Sequence, residues 1–450
     1  MIGLKKIPKR VVITPPKMFV LGFAIIILLG SFLLSLPIAT QNGEGLNWLN
    51  ALFTATSATC VTGLVVVDTE TTFSLFGQIV ILSLIQVGGL GFMTFATFLA
   101  LLVRRKISFR QRLLLQESLN SSSTQGIVKL ARTILFFTLV AEGIGSLLLA
   151  IRFSFDMPIK KAVYFGIFHA VSNFNNAGFD IMGNFKSFTG YVEDPAVTLV
   201  VCILIILGGI GFIVVSDVYE NRSFNKLTLH TKVVLSTTAI LLAAGTVLVF
   251  ILEFNNPKTL QPLSIGGKIL ASFFQSVTPR TAGSNTLNIP DLTISTLFLT
   301  IILMFIGASP GSTGGGIKTT TFATLLGAAW AQITGKRDVE FFRFRIIPTM
   351  IYKSLTITLI AMLLVIVVTM FLSITEKTNN FLMIFFETVS AFGTVGLSMG
   401  LTPELTSFGK IIIALTMFIG RLGPLTVAIA LAEQNEKENY RRPKGKFMIG

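Results

Sequence analysis

Apolar and polar stretches alternate along this chain with a period of just over a hundred residues. Each period holds a long apolar run, a shorter one that leads to a glycine, and a second long run. The runs cover about 18–38, 46–58 and 73–103, then 127–152, 160–173 and 194–216. They recur at about 229–253, 265–277 and 291–333, and again at 347–373, 379–391 and 406–432. About 20 apolar residues are needed for a helix to cross a bilayer, so the long runs predict eight spans and the middle runs are too short. Non-helical backbone at membrane depth survives only when protein or a water-filled cavity surrounds it. The four middle segments therefore predict re-entrant loops converging on an aqueous axis. The pattern divides the chain into an N-terminal arm with the first repeat (1–103), a second repeat (104–218), a third (219–333), a fourth (334–432) and a tail (433–450).

Each short run carries a phenylalanine followed ten residues later by a glycine. The four copies are FTATSATCVTG (53–63), FHAVSNFNNAG (168–178), FFQSVTPRTAG (273–283) and FETVSAFGTVG (386–396). A cation selectivity filter uses a ring of four glycine-bearing loops whose backbone carbonyls replace the ion's hydration shell. The candidate filter residues are Thr59, Cys60, Val61, Thr62 and Gly63 in the first loop and Asn175, Asn176, Ala177 and Gly178 in the second. Arg280, Thr281, Ala282 and Gly283 supply the third, and Gly393, Thr394, Val395 and Gly396 the fourth. Arg280 is the one charge among them. Carbonyl oxygens suit a weakly hydrated monovalent cation, whereas Ca²⁺ or Mg²⁺ calls for carboxylates.

A second set of glycines follows each loop. Gly88-Gly89-Leu90-Gly91 and Gly208-Gly209-Ile210-Gly211 read as close-packing devices between membrane helices, which favour small residues. The third set differs. Gly307, Ala308, Ser309, Pro310, Gly311, Ser312, Thr313, Gly314, Gly315 and Gly316 lie midway through an over-long apolar stretch. An uninterrupted helix is excluded there, because each glycine costs about 1 kcal/mol and proline about 3 relative to alanine. The stretch predicts an unwound loop beneath the filter, a gate or constriction. It lacks the Gly-Lys pair and βαβ context of a phosphate-binding loop.

Composition agrees with the pattern. The 450 residues are 52% hydrophobic and 13% charged, with mean hydropathy +0.78, too apolar for a soluble domain. The first run is longer than a signal-peptide core and reads as a retained span. The net charge of +15 is placed by topology: segments 1–17, 104–132, 217–232, 334–353 and 433–450 carry 25 of the 36 basic residues. Alternate segments are thus positive, which puts both termini and three loops in the cytoplasm, against anionic lipid rather than nucleic acid. Cys60 and Cys202 give no disulfide framework, and His169 and His230 no metal spacing. No nucleophile or base constellation points to an enzyme.

Charges at membrane depth are costly and face a cavity or a partner. Arg421, in the last run, is either a positive barrier or a partner for carbonyls freed by the gate loop. Lys318 belongs either to the gate or to the cytoplasmic half of its helix. Glu142 is expected to pair with another helix or a neighbouring subunit.

These motifs resemble the Trk/Ktr/HKT superfamily of potassium transporters, most closely the KtrB-type membrane subunit of bacterial Ktr systems. The carriers are SATCVTGL (57–64), QVGGLGFMTF (86–95), NNAGF (175–179), GGIGF (208–212), TPRTAG (278–283), GASPGSTGGGIK (307–318), SAFGTVGLSMGLTPELT (390–406) and MFIGRLGPLT (417–426). The resemblance implies an all-α membrane protein with four M1–P–M2 repeats around a pseudo-fourfold central pore. It implies potassium uptake through a bacterial plasma membrane, often with Na⁺ as coupling or activating ion, and no cofactor. It maps the filter glycines to Gly63, Gly178, Gly283 and Gly396, the gate to 307–316 and the pore arginine to Arg421. It also implies a homodimer on a cytoplasmic nucleotide-binding RCK (KTN) ring of KtrA or KtrC kind. Ser284 departs from the phenylalanine that relatives often carry after the third filter glycine. A secondary transporter working by alternating access is the other class to weigh, since such folds also use broken helices; turnover separates the two.

Overall fold

The computed structural model describes residues 15–91, 127–378 and 380–431. Residues 1–14 of the basic arm, most of the 104–132 segment, the end of the 73–103 run and the basic tail lie outside the described residues. Within them the chain is mostly helical. Extended pairing among the described residues is limited to a two-residue antiparallel ladder, Glu340–Phe341 with Phe344–Arg345, and an isolated bridge between Thr40 and Phe73.

Four long helices form over the first run of each repeat: Pro15–Ser35, Ile127–Phe153, Leu229–Glu253 and Pro348–Thr375. At about 1.5 Å per residue, even the shortest, with 21 residues, matches the roughly 30 Å hydrocarbon core. Their outward faces carry exposed leucine, isoleucine, phenylalanine and methionine, among them Leu29, Phe32, Phe136, Leu147, Ile251 and Met370. These are the four single helices among the described residues that are long and apolar enough to cross a membrane.

Each long helix is followed by a short one: Trp48–Thr59, Ile159–Phe174, Ile265–Val277 and Phe381–Gly393. Three of them start at a side-chain cap. Asn47 accepts from Leu49 N, Ser264 from Gly267 N and Asn380 from Met383 N; such caps satisfy orphan amides of the first turn. The C-terminal halves of these short helices are mostly buried. Their C-terminal ends, with the negative end of the helix dipole, meet at the middle of the molecule.

The helices that come next depart from the sequence reading. Runs 194–216 and 406–432 predict continuous spans, but each is broken. Pro195–Gly209 and Phe212–Asn221 meet at 96°, and Ser407–Leu422 gives way to Pro424–Leu431. Ile294–Ile306 and Thr319–Ile333 are separated by the glycine-rich loop, while Leu75–Leu90 stops at Gly91. The cause is the same in all four. Gly91, Gly211, Gly307 and Gly423 adopt φ of +78°, +96°, +63° and +85°, which a helix does not allow. The glycine three residues earlier does the packing the sequence predicts: a Cβ on Gly88, Gly208 or Gly420 would strike the carbonyl oxygen of Thr59, Phe174 or Phe392.

Candidate functional site

The four loops that follow the short helices meet edge to edge. A Cβ on Gly63 would strike the carbonyl oxygen of Ala177, and one on Gly178 that of Ala282. Gly283 stands in the same relation to Val395, and Gly396 to Thr62, closing the cycle in chain order. The four glycines therefore form a ring, each against the residue preceding the next glycine. No side chain fits between them.

One backbone geometry recurs around the ring. The glycines have φ between +68° and +94°. Two residues earlier, Val61, Asn176, Thr281 and Thr394 are left-handed, at +57°, +58°, +74° and +49°. For β-branched residues such as Val61, Thr281 and Thr394 this conformation is rare, and such strain concentrates at functional sites. Serines at the C-terminal ends of the short helices help hold it. Ser57 Oγ accepts from Gly63 N at 3.1 Å and Ser390 Oγ from Gly396 N at 3.1 Å, while Ser172 Oγ donates to Phe179 O at 2.6 Å. The signal was present in the sequence: Ser57, Ser172 and Ser390 all stand six residues before their glycine. In the third loop Val277 takes that place, and Thr278 Oγ1 donates to Ser284 O instead. Ser284 in turn donates from Oγ to Asn173 Oδ1 at 2.7 Å, so it ties loop to helix where an apolar ring would only pack.

Among the filter candidates, Thr59, Cys60, Val61, Thr62, Asn175, Asn176, Ala177, Thr281, Ala282, Gly393, Thr394 and Val395 are buried at or behind the ring. The hydroxyls of Thr59, Thr62 and Thr394 have no hydrogen-bond partner among the described residues. Arg280 keeps its backbone in the third loop, but its guanidinium turns away from the ring. It reaches Thr238 on Leu229–Glu253, at 3.5 Å to the carbonyl and 3.4 Å to the hydroxyl. Asn175, at the same offset before its glycine, also turns outward, to Glu142 and Gln86. Glu142 thus pairs with another helix of its own chain.

On one side of the ring lies a cavity of about 280 Å³ that all four glycines line. Asp68, Asp180, Asn285, Ser398 and Thr402 also face it, and no lysine, arginine or histidine among the described residues lines it. Negative charge and polar oxygens in a recess raise the local concentration of cations. Burial, then the neighbouring charge of Asp68, pushes the Asp180 carboxyl up to about 6.

The Gly307–Gly316 loop lies on the other side. Ser309 N donates to Gly209 O at 3.0 Å and Thr313 N to Gly208 O at 3.2 Å, which seats the loop in the break between Pro195–Gly209 and Phe212–Asn221. A Cβ on Gly314 or Gly315 would run into the side chain of Thr281 or Thr394, just under the ring. Lys318 Nζ donates to Gly314 O at 2.6 Å and Gly315 O at 3.2 Å. Arg421 donates to Thr313 O and to Gly88 O, and at 3.2 Å to Gly89 O. Both cations therefore bind freed carbonyls of the broken segments. Ala308 and Ser309 are buried, Pro310, Gly311 and Ser312 partly exposed.

Comparison with known proteins shows the family and the fold. The TrkH family model, described as cation transport protein, matches residues 23–442. The chain is 46% identical to Ktr system potassium uptake protein B of Bacillus subtilis (strain 168), covering 99% of both chains. It is 42% identical to potassium/sodium uptake protein NtpJ of Enterococcus hirae, again over 99% of both. In fold it is similar to the potassium transporter TrkH from Vibrio parahaemolyticus, with a TM-score of 0.75 at 17% identity. That match covers 95% of this chain and 87% of the other.

Proposed function

We propose that this chain, which belongs to the TrkH family of cation transport proteins, is the potassium-selective translocating subunit of a Ktr-type uptake system. It is a multi-pass membrane protein, and its family is one of transporters, not enzymes. The observation that carries the proposal is the closed cycle of Gly63, Gly178, Gly283 and Gly396 opening on an acidic, lysine- and arginine-free cavity. Backbone carbonyls at such a ring replace water around K⁺, and the positive φ of each glycine is what aims them. The proposal gives the chain eight spans in four M1–P–M2 repeats around one pore, with both termini in the cytoplasm of a bacterial cell.

In this reading the Gly307–Gly316 loop, with Lys318 and Arg421, is the gate. Ions shed water at the ring, pass the displaced loop and enter down the membrane potential, worth about 2.3 kcal/mol per charge at 100 mV. The relatives' names speak of a system and, for one, of sodium as well as potassium. They support a separate partner subunit and a role for Na⁺ as coupling or activating ion; the proposal makes that partner a cytoplasmic RCK ring and the chain a homodimer on it. The test is uptake of Rb⁺ and Na⁺ into proteoliposomes under a negative-inside potential, with and without that ring protein. Saturable Rb⁺ entry that excess Na⁺ does not replace supports the proposal; Na⁺ entry alone overturns it.

A further inference from the structure

Among the described residues Glu142 is the one carboxylate buried in the middle of a long helix. Burying a carboxylate is expensive unless its oxygens are hydrogen-bonded. Here both oxygens accept. Oε1 takes Asn175 Nδ2 at 2.9 Å, and Oε2 takes Gln86 Nε2 at 3.2 Å. Asn175 Nδ2 also donates to Gln86 Oε1 at 2.9 Å, so the three side chains form a closed triangle. The triangle joins three elements distant in sequence: the Ile127–Phe153 helix, the Leu75–Leu90 helix and the second glycine loop.

Asn175 is the first residue after its short helix, with left-handed Asn176 next and Gly178 two further on. Its side chain is wedged on the far side by Gly89, where a Cβ would overlap Oδ1. The amide is thus clamped between a helix backbone and a carboxylate, and the backbone it carries leads straight into the ring. Cys60 and Gly393 stand at this offset in the first and fourth loops and have no such side-chain brace, while Arg280 in the third makes only the long contacts to Thr238. Among the described residues the second loop is the one whose residue at this offset is held by a carboxylate; Glu387 braces the fourth loop further on, through Ser398 and Thr402.

We infer that Glu142 is a positioning residue for ion selection: through Asn175 it fixes the second loop and the carbonyls that lead to Gly178. The inference rests on the filter reading of the ring. The chemistry needs two acceptors at position 142. Glu142→Gln presents an NH₂ to the NH₂ of Gln86 and loses one side of the triangle at almost unchanged size. The exchange Gln86→Glu with Glu142→Gln restores every bond, with the carboxylate at the opposite corner.

The experiment measures the K⁺-over-Na⁺ uptake ratio in proteoliposomes, and thermal midpoints in detergent, for the wild type, E142Q, the Q86E/E142Q exchange and Gly178→Ser. A bond to a buried charge is worth about a tenfold factor, so E142Q is expected to lower the ratio about tenfold and the exchange to return it to within about twofold. Unchanged selectivity in E142Q, with selectivity lost in Gly178→Ser, overturns the role of Glu142 and leaves the filter standing. A lowered midpoint at full selectivity makes Glu142 purely structural and also overturns it, as does an exchange that fails to rescue. If Gly178→Ser itself keeps full selectivity, the filter reading falls and takes this inference with it.

Discussion

The guanidinium of Arg421 donates to the backbone carbonyl of Thr313, across 108 residues of sequence. The same group holds Gly88 O and Gly89 O of the first inner helix, so one side chain ties the glycine-rich loop to the helix on its other side. This is a bridge between carbonyls, which a guanidinium makes with its fork of donors and a lysine ammonium makes poorly.

The bridge separates the two roles open to Arg421. If its charge alone blocks ions, Arg421→Lys stays tight. If it clamps the loop, Arg421→Lys leaks nearly as much as Arg421→Gln. The clamp is the outcome the geometry favours. Potassium flux through both variants, without any regulatory partner, is expected to rise about tenfold, the factor for a lost charge-assisted bond. Flux assays in proteoliposomes check it.

Asp180 makes the cavity sensitive to acid. Burial above all outweighs the opposing hydrogen bond from Met182 N and, with the charge of Asp68, pushes its carboxyl up to about 6, so it is charged at pH 7 and neutral at pH 5. Protonation removes one of the two negative charges facing the ring. Uptake at sub-saturating K⁺ is expected to fall as the pH on that side drops from about 7 to about 5. Asp180→Asn is expected to be low throughout and flat across this range, as a pH series of initial rates will read.

Glu253 ties the end of the third long helix to Thr293, the cap of the Ile294–Ile306 helix. It is fully buried and accepts from Thr293 N and Oγ1 at 2.8 and 2.7 Å, and from Thr259 and Asn256 at 2.6 Å each. Glu253→Ala strands several buried donors, at about 1–3 kcal/mol for each left unpaired. A clear drop in thermal midpoint in detergent is expected, with selectivity kept in the folded fraction.

Much of this architecture is legible in the chain because length and polarity encode it. The 265–277 and 229–253 runs coincide with helices Ile265–Val277 and Leu229–Glu253. The other short helices lie within two residues of their runs, helped by caps such as Asn47 and Asn380. The breaks at Gly211 and Gly423 were not legible. Their surroundings are as apolar as any span, and a glycine chosen for positive φ looks the same as one chosen for close packing. The third break could be read because Pro310 and its many neighbouring glycines rule out a helix.

Side-chain direction was the other gap. Arg280 shares its loop with filter candidates, yet its guanidinium turns behind the ring, and nothing in TPRTAG records that. Glu142 finds Asn175 and Gln86, 33 and 56 residues away, where no local pattern reaches. The left-handed residues Val61, Thr281 and Thr394 are equally silent, since their type argues against the conformation they adopt.

The central claim is that four glycines form the ring that selects the ion. It is tested most directly by the K⁺-over-Na⁺ uptake ratio of the wild type and Gly63→Ser, side by side in proteoliposomes. At φ +90°, against the Ala177 carbonyl, a serine must push backbone aside. The account predicts a folded protein that still passes cations but discriminates K⁺ from Na⁺ at least about tenfold less, a loss of about 1.4 kcal/mol. A Gly63→Ser protein with wild-type selectivity would contradict it.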